Sequence, residues 1–136
     1  MPSVRVLIAD DHAVVRLGLR SLLSQKQGWQ VCGEASDGET AVARVCELAP
    51  DVVILDLTMP GLNGFNAARE IRRMAPSTKI ILFSIHDIAS IAAQAGADAF
   101  VSKTSTPNEL VGAIERLTSS IVRPAAAGAT PGSQAD

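Results

Sequence analysis

The chain has 136 residues, 47% of them hydrophobic, and a formal net charge of −2 from 12 basic and 14 acidic residues. This length suits one domain with a substantial core, and the hydrophobic fraction excludes a disordered chain. No basic excess exists to neutralise phosphates, which argues against a dedicated nucleic-acid-binding protein. A local acidic pocket on a nearly neutral surface remains compatible with these numbers.

Two features of the sequence bear on its compartment. The N-terminus lacks the charged-then-apolar layout of a signal peptide, and no apolar run approaches the roughly 20 residues of a membrane span. The two cysteines, Cys32 and Cys46, have neither metal-ligand spacing nor the density of a secreted disulfide scaffold. We interpret both as small buried side chains in a reducing compartment, and we expect a cytoplasmic protein.

Short apolar segments alternate along the chain with segments whose apolar residues recur at helical spacing. The predicted strands are, in chain order, 4–9, 30–35, 52–55, 79–83 and 99–102. The predicted helices are one between Asp11 and Gly28, then 39–48, 65–74, a short one over about 87–95, and one that begins at Thr106 and Pro107. We expect the Thr106 hydroxyl to cap the last helix and Met74 to face inward from the third.

This alternation predicts an α/β domain with a parallel sheet and helices on both faces. From residue 121 onward the composition changes to Ala, Gly, Pro and Ser, with almost no large apolar side chain. Such a segment buries too little surface to offset its ordering entropy. We therefore predict a domain over 1–120 and a flexible tail or linker over 121–136.

The third predicted strand carries the most informative signal. Its four apolar residues, 52–55, form a β-branched run typical of a strand buried on both faces of a parallel sheet. The run ends on Asp56, after which Pro60, Gly61 and Gly64 indicate a loop. Asp56 is therefore predicted at the carboxyl end of a central strand, where open α/β sheets bind ligands.

Polar residues also follow the other strands. Asp10 and Asp11 follow the first strand, Ser84 the fourth and Lys103 the fifth. Because the carboxyl ends of parallel strands share one edge, we expect these residues to converge on Asp56. Each alone has a plainer interpretation: a strand-end Asp is usually a turn former or helix cap, and Asp10 or Asp11 could cap the first helix. Their convergence favours a site.

Three carboxylates in one crevice repel one another. Lys103 supplies one compensating charge, and Mg²⁺ is the natural candidate for the rest, because it favours carboxylates, waters and phosphate oxygens. An Asp flanked by a metal, a Lys and a hydroxyl is equipped to accept a phosphoryl group. On this interpretation Asp56 is the nucleophile, and Ser84 and Lys103 hold the product.

Four sequence segments carry a family resemblance. ADDH at 9–12, DLTMPGLNG at 56–64, Ser84 and AGADAFVSK at 95–103 resemble the receiver domain of bacterial two-component response regulators. DDHAVVRLGL at 10–19 and DLTMPGLNG at 56–64 are similar to the NarL/FixJ subfamily, and the receiver resemblance covers about residues 4–120. It implies a flavodoxin-like (βα)5 fold with five parallel strands in the order 2-1-3-4-5.

The resemblance also implies roles for individual residues. Asp56 matches the phosphoacceptor, and Asp10 and Asp11 match the acidic pair that binds Mg²⁺. The backbone carbonyl of Thr58 matches a further metal ligand, which joins Asp56 itself in the metal set. A separate group matches the residues that hold and report the phosphoryl group: Lys103, the switch hydroxyl Ser84 and the switch aromatic Phe100.

The implied partner is a sensor histidine kinase, whose phosphohistidine would dock near the first helix. A receiver is a signalling switch rather than an ordinary enzyme. DNA would be reached only through an output domain that this chain does not contain, so the chain is either a piece of a longer transcriptional regulator or a single-domain receiver. A homodimer is left open.

The resemblance has departures and rivals. The stretch from Ser84 to Gly96 is about three residues shorter than in typical relatives, nearly one helical turn, which predicts a shortened fourth helix. Phe100 stands where many relatives have tyrosine. A flavodoxin-like cofactor binder would need a Gly- and hydroxyl-rich loop after the first strand, where this chain has Asp10, Asp11 and His12. An aspartyl-phosphate phosphatase would usually have a second acid at the position of Thr58. A pseudo-receiver that binds partners without phosphorylation is the remaining alternative.

Overall fold

A computed structural model describes residues 4–85 and 89–119, and within them strands and helices alternate throughout. The strands are β1 (Val4–Ala9), β2 (Trp29–Ala35), β3 (Val52–Asp56), β4 (Lys79–Ser84) and β5 (Ala99–Ser102). The helices are α1 (Ala13–Ser24), α2 (Gly38–Leu48), α3 (Gly64–Met74), α4 (Ala89–Gln94) and α5 (Pro107–Thr118). Every strand pairing is parallel, and the order β2-β1-β3-β4-β5 is the predicted one.

The sheet separates two apolar layers. Leu7 and Ala9 of β1 pack in the layer covered by α2, α3 and α4, whereas Val6 and Ile8 pack in the layer covered by α1 and α5. All five residues of β3 are buried, which is why its apolar run has no polar alternation. Each fully buried Leu or Ile contributes about 1.5–3 kcal/mol to folding, so this sheet is a stable base for groups at its edges.

Several local predictions need correction. Thr106 does occupy the N-cap of α5, but its side chain makes no capping hydrogen bond. Met74 is 45% exposed instead of inward, because it is the last residue of α3 and lies beyond the layer. Cys46 is exposed, because the preceding Val45 takes the inward position on α2, and Cys32 is only half-buried at an irregularity in the β1–β2 pairing.

The part of the fourth helix that the structure describes is short, and its full length stays a prediction. The described α4 has six residues, whereas the other four helices have 11 or 12. Its predicted start near residue 87, the domain limit at 120 and the tail at 121–136 lie outside the described residues and stay predictions. Among the helices of the described ranges, none combines the length and apolar character that crossing a membrane requires.

Candidate functional site

The predicted site residues lie at the carboxyl edge of the sheet. Asp10 follows β1 directly, Asp56 ends β3, Ser84 ends β4, and Lys103 follows β5. Asp10 and Asp56 are only 1% and 2% exposed, and Ser84 is also buried. Because the strands are parallel and in register, residues from distant parts of the sequence meet here.

A lysine joins the two buried acids. Lys103 Nζ lies 2.8 Å from Asp10 Oδ2 and 3.2 Å from Asp56 Oδ1. The Lys103 backbone N–H also donates to the carbonyl of Ser84 at 2.8 Å, which fixes the start of the β5–α5 loop against β4. One cation thus faces two desolvated carboxylates, and the cluster keeps a net negative charge.

Asp56 is the less compensated of these two acids. Its Oδ2 is buried and has no hydrogen-bond partner in the part of the chain that the structure describes; the same holds for Asp10 Oδ2, but Lys103 Nζ lies 2.8 Å from that oxygen. Among the described residues, the Oδ1 of Asp56 has, besides Lys103, one long contact of 3.4 Å from the Thr58 backbone N–H. A buried carboxylate oxygen without a donor is costly, which indicates that Asp56 is completed by another group.

Electrostatics at the site follow from this arrangement. Burial raises the pKa of Asp56, the charge of Asp10 raises it further, and Lys103 and the Thr58 N–H only partly oppose them. Burial alone would lower the pKa of Lys103, but its contacts with Asp10 and Asp56 outweigh burial and raise it overall. Lys103 is therefore a permanent cation at neutral pH.

The acids form a group that could hold a metal ion. Asp10, Asp11, His12 and Asp56 each offer a ligand atom, and these atoms all lie within 4.8 Å of one another. The unpartnered Oδ2 of Asp56 belongs to a member of this group. Three carboxylates with open access through the half-exposed Asp11 side chain fit a hard divalent cation that keeps part of its water shell.

The segment after β3 holds Asp56 in place. The Gly64 N–H donates to the carbonyl of Leu57 at 2.8 Å, and a Cβ at Gly64 would lie 2.1 Å from the Asp56 carbonyl oxygen. A Cβ at Gly38 would similarly lie 1.7 Å from the carbonyl oxygen of Leu62. Only glycine lets the backbone approach so closely at these positions, so the loop from 57 to 63 packs tightly over the strand end.

Thr58 and Phe100 make fewer contacts with the acidic cluster than the other predicted site residues. Thr58 lies two residues beyond Asp56 with an exposed side chain, so only its backbone is near the acids. Phe100 is half-buried on β5 and packs against the layer beneath α2, α3 and α4. The aromatic ring beside the lysine is instead Phe83, with Lys103 Nζ 5.7 Å from the ring centre.

Some contacts at the site escape the sequence patterns. The His12 N–H donates to Asp10 Oδ1 at 2.9 Å, and His12 Nδ1 lies 3.2 Å from that oxygen and 3.0 Å from Asp11 Oδ1. His12 is the N-cap residue of α1, so neither Asp10 nor Asp11 caps that helix. In the sequence, the one signal for these contacts is the position of His12 directly after the two acids.

An arginine anchors the loop from the other side. Arg16 Nη1 donates to the Asp10 carbonyl at 2.7 Å, and Arg16 Nε donates to Glu34 Oε1 at 2.9 Å. Arg20 Nε donates to the other oxygen of Glu34 at 2.7 Å. The β1–α1 loop is therefore tied to β2 through a carboxylate that two guanidinium groups share.

This chain is similar in sequence to a known protein family. A family model described as the response regulator receiver domain matches residues 6–115. The chain is 42% identical over 117 residues to response regulator UvrY of Escherichia coli K12, a match that covers 84% of this chain and 54% of UvrY. It is 40% identical over 116 residues to chemotaxis protein CheY of Thermotoga maritima, covering 83% of this chain and 96% of CheY.

A solved structure adds the three-dimensional comparison. The crystal structure of a LuxR-family two-component response regulator from an Aurantimonas species superposes with a TM-score of 0.82 at 39% identity, covering 86% of each chain. The chain spans nearly the whole length of CheY, of which the match covers 96%, but only about half the length of UvrY, of which it covers 54%.

Five parallel strands in this order, with buried acids and one lysine at their carboxyl edge, define an α/β domain suited to holding a cation and a phosphoryl group. The chain belongs to the response regulator receiver domain family. The predicted NarL/FixJ-like resemblance is also confirmed by these relatives. Response regulators are signalling proteins, and membership of this family is consistent with phosphorylation-dependent signalling.

Proposed function

We propose that this chain is a phosphorylation-dependent switch that accepts a phosphoryl group on Asp56 from a phosphohistidine of a sensor histidine kinase. The observation that carries the proposal is the state of Asp56, a buried carboxylate with an unpartnered Oδ2 beside the Lys103–Asp10 ion pair. A structural acid would have its oxygens satisfied by donors. In Asp56, one oxygen has no such donor among the described residues.

In the proposed transfer, an Asp56 carboxylate oxygen forms the new O–P bond while the P–N bond of the phosphohistidine breaks. The leaving imidazole keeps the bonding electron pair and takes up a proton. Bound Mg²⁺ would neutralise charge on the phosphoryl oxygens during transfer. Asp10, Asp11, Asp56 and the Thr58 backbone carbonyl are the proposed ligands, and the grouping of the three carboxylates supports this set.

After transfer, we assign Lys103 and Ser84 to binding the phosphoryl oxygens. The position of Lys103 supports its role, because Nζ already lies within 3.2 Å of Asp56. Ser84 ends the adjacent strand, and its carbonyl is tied to the Lys103 backbone. Phe100 is the proposed switch aromatic, and its incomplete burial on β5 is compatible with movement. These contacts would bias the domain between two states.

The exposed face of α1 supports docking of the kinase near this helix. Val14 and Leu17, near the start of α1, are 81% and 68% exposed, an unusual degree for large apolar residues of a helix. Beside them, a cavity of about 260 Å³ lies between α1 and the start of α5, with Lys103 among its lining residues. An apolar partner docked here would lie next to the phosphorylation site.

The length of the relatives bears on how this receiver domain acts. Because the chain covers about half of UvrY, we propose that it acts with an output domain that would contact DNA. We also propose that the protein is cytoplasmic and that it forms a homodimer when it is phosphorylated. The described part of α4 has six residues, and a short fourth helix favours one competing function, a pseudo-receiver that binds partners without phosphorylation.

Intact-mass measurement after incubation with acetyl phosphate and Mg²⁺ tests the proposal. We expect one added phosphoryl group on the wild type and on Asp37→Asn, but none on Asp56→Asn. Asp37 is a matched control, because it is a partly buried acid at the N-cap of α2 that Asn replaces well. No addition to folded, Mg²⁺-binding wild type would contradict the proposal and favour the pseudo-receiver.

A further inference from the structure

We propose that His12 adds a nitrogen ligand to the acidic site and selectively raises the affinity of this receiver for imidazole-binding transition-metal ions, such as Ni²⁺, without raising its affinity for Mg²⁺. The inference rests on the proposed function, since the same carboxylates are the proposed Mg²⁺ ligands. It goes beyond that function, because it assigns the site a second class of ion and a residue that selects for it.

The contact distances of His12 match those of neighbouring ligands on one ion. Its Nδ1 lies 3.0 Å from Asp11 Oδ1 and 3.2 Å from Asp10 Oδ1. Two ligand atoms at right angles on an ion with bonds of roughly 2.1 Å are separated by about 3.0 Å. The imidazole nitrogen and both carboxylate oxygens could therefore coordinate one ion with small side-chain movements.

A second observation points to a cation at the same place. Lys103 engages Asp10 Oδ2 and Asp56 Oδ1, which leaves Asp56 Oδ2 buried without a hydrogen-bond partner among the described residues. Asp56 is 2% exposed and belongs with Asp10, Asp11 and His12 to the group whose ligand atoms lie within 4.8 Å. The site thus offers three carboxylates and one imidazole, and Lys103 contacts one oxygen of Asp10 and one oxygen of Asp56.

The ligand chemistry decides which ions benefit. Mg²⁺ takes oxygen ligands and gains nothing from an imidazole, whereas Ni²⁺, Cu²⁺ and Zn²⁺ bind imidazole nitrogen well. His12 is held by its backbone N–H on Asp10 Oδ1, which keeps the residue next to the acids. Its side chain is 64% exposed, so Nε2 can keep its proton in water while Nδ1 binds the ion.

Calorimetric titration of the full chain with Ni²⁺ and, separately, with Mg²⁺ tests the inference. All variants carry Cys46→Ser, which removes the exposed thiol as a competing nickel ligand. We expect His12→Gln to weaken Ni²⁺ binding at least about tenfold and to leave Mg²⁺ affinity within about twofold. The matched control is His86→Gln, the other of the two histidines in the sequence, which should change neither affinity.

The outcomes separate this inference from the proposed function. Unchanged Ni²⁺ affinity in His12→Gln, an equal loss in His86→Gln, or a parallel loss of both metals in His12→Gln would overturn the role of His12. The proposed function fails instead if wild type does not bind Mg²⁺, or if Asp11→Asn leaves Mg²⁺ affinity unchanged. Weakening of both metals by Asp11→Asn, with weakening of Ni²⁺ alone by His12→Gln, supports both.

Discussion

Two charged clusters of this protein have opposite compositions. At the carboxyl edge of the sheet, one cation, Lys103, faces two buried acids, Asp10 and Asp56. Beside it, one acid, Glu34, is shared by two cations, Arg16 and Arg20. The first cluster has an excess of buried negative charge, whereas each oxygen of the single acid in the second has a donor.

The pKa shifts of the two acids have opposite directions for this reason. Burial and the neighbouring Asp10 raise the pKa of Asp56. Burial of Glu34 alone would raise its pKa, but hydrogen bonds from Arg20 and Arg16 lower it below the ordinary value of 4.5. Ionisation of Glu34 therefore stabilises the fold, whereas ionisation of Asp56 opposes folding. The contrast separates a structural ion-pair network from a cluster that requires a ligand.

The largest expected effect comes from removing the cation of the first cluster. Lys103→Met would leave two buried carboxylates facing each other, and we expect a loss of about 3 kcal/mol in the free energy of unfolding at pH 7. Chemical denaturation measures this loss. Lys26→Met is the matched control, because Lys26 pairs with Glu115 on the exposed surface and should cost less than about 1 kcal/mol. Equal losses in the two variants would contradict the contrast between buried and exposed pairs.

A smaller effect, with a pH signature, is expected in the second cluster. Glu34→Gln should cost up to about 1 kcal/mol at pH 7, because the partly exposed carboxylate loses two arginine contacts. The pKa of Glu34 is lower in the folded chain than in the unfolded chain. Its stabilisation is thus fully present above the ordinary pKa and disappears as the pH falls through the lower folded value.

Thermal unfolding of wild type and Glu34→Gln across this pH range measures the effect. The two proteins should differ in melting temperature near neutrality and converge in acid. A difference that persists unchanged below the folded pKa would show that Glu34 acts through packing instead of charge.

The sequence was sufficient to predict the site where backbone topology alone brings residues together. The apolar run before Asp56 identifies a central strand, and parallel strands place Asp10, Asp56 and Lys103 at one edge whatever their side-chain rotamers. Burial on both faces leaves an uninterrupted apolar signal in β3, and shorter or interrupted apolar segments predicted the other four strands.

Other features depend on side-chain conformation or on pairing between distant elements. The ring of Phe83 near Lys103 and the bonds from Arg16 to Glu34 join elements whose relative positions are set only in the folded chain. Cys46 was expected inside on residue type alone, but the phase of α2 places it outside. Hydrophobic periodicity predicts which face a residue occupies, and not the atoms it contacts there.

The most direct test of the central claim, that a cation completes the Asp56 cluster, is the unfolding free energy of wild type and Asp56→Asn with and without Mg²⁺. Without Mg²⁺ at pH 7, we expect Asp56→Asn to be more stable on the order of 1 kcal/mol, because it removes one buried charge. Saturating Mg²⁺ should stabilise wild type more and close or reverse this gap. An Asp56→Asn variant that is less stable than wild type without Mg²⁺, with equal Mg²⁺ effects on both proteins, would contradict the account.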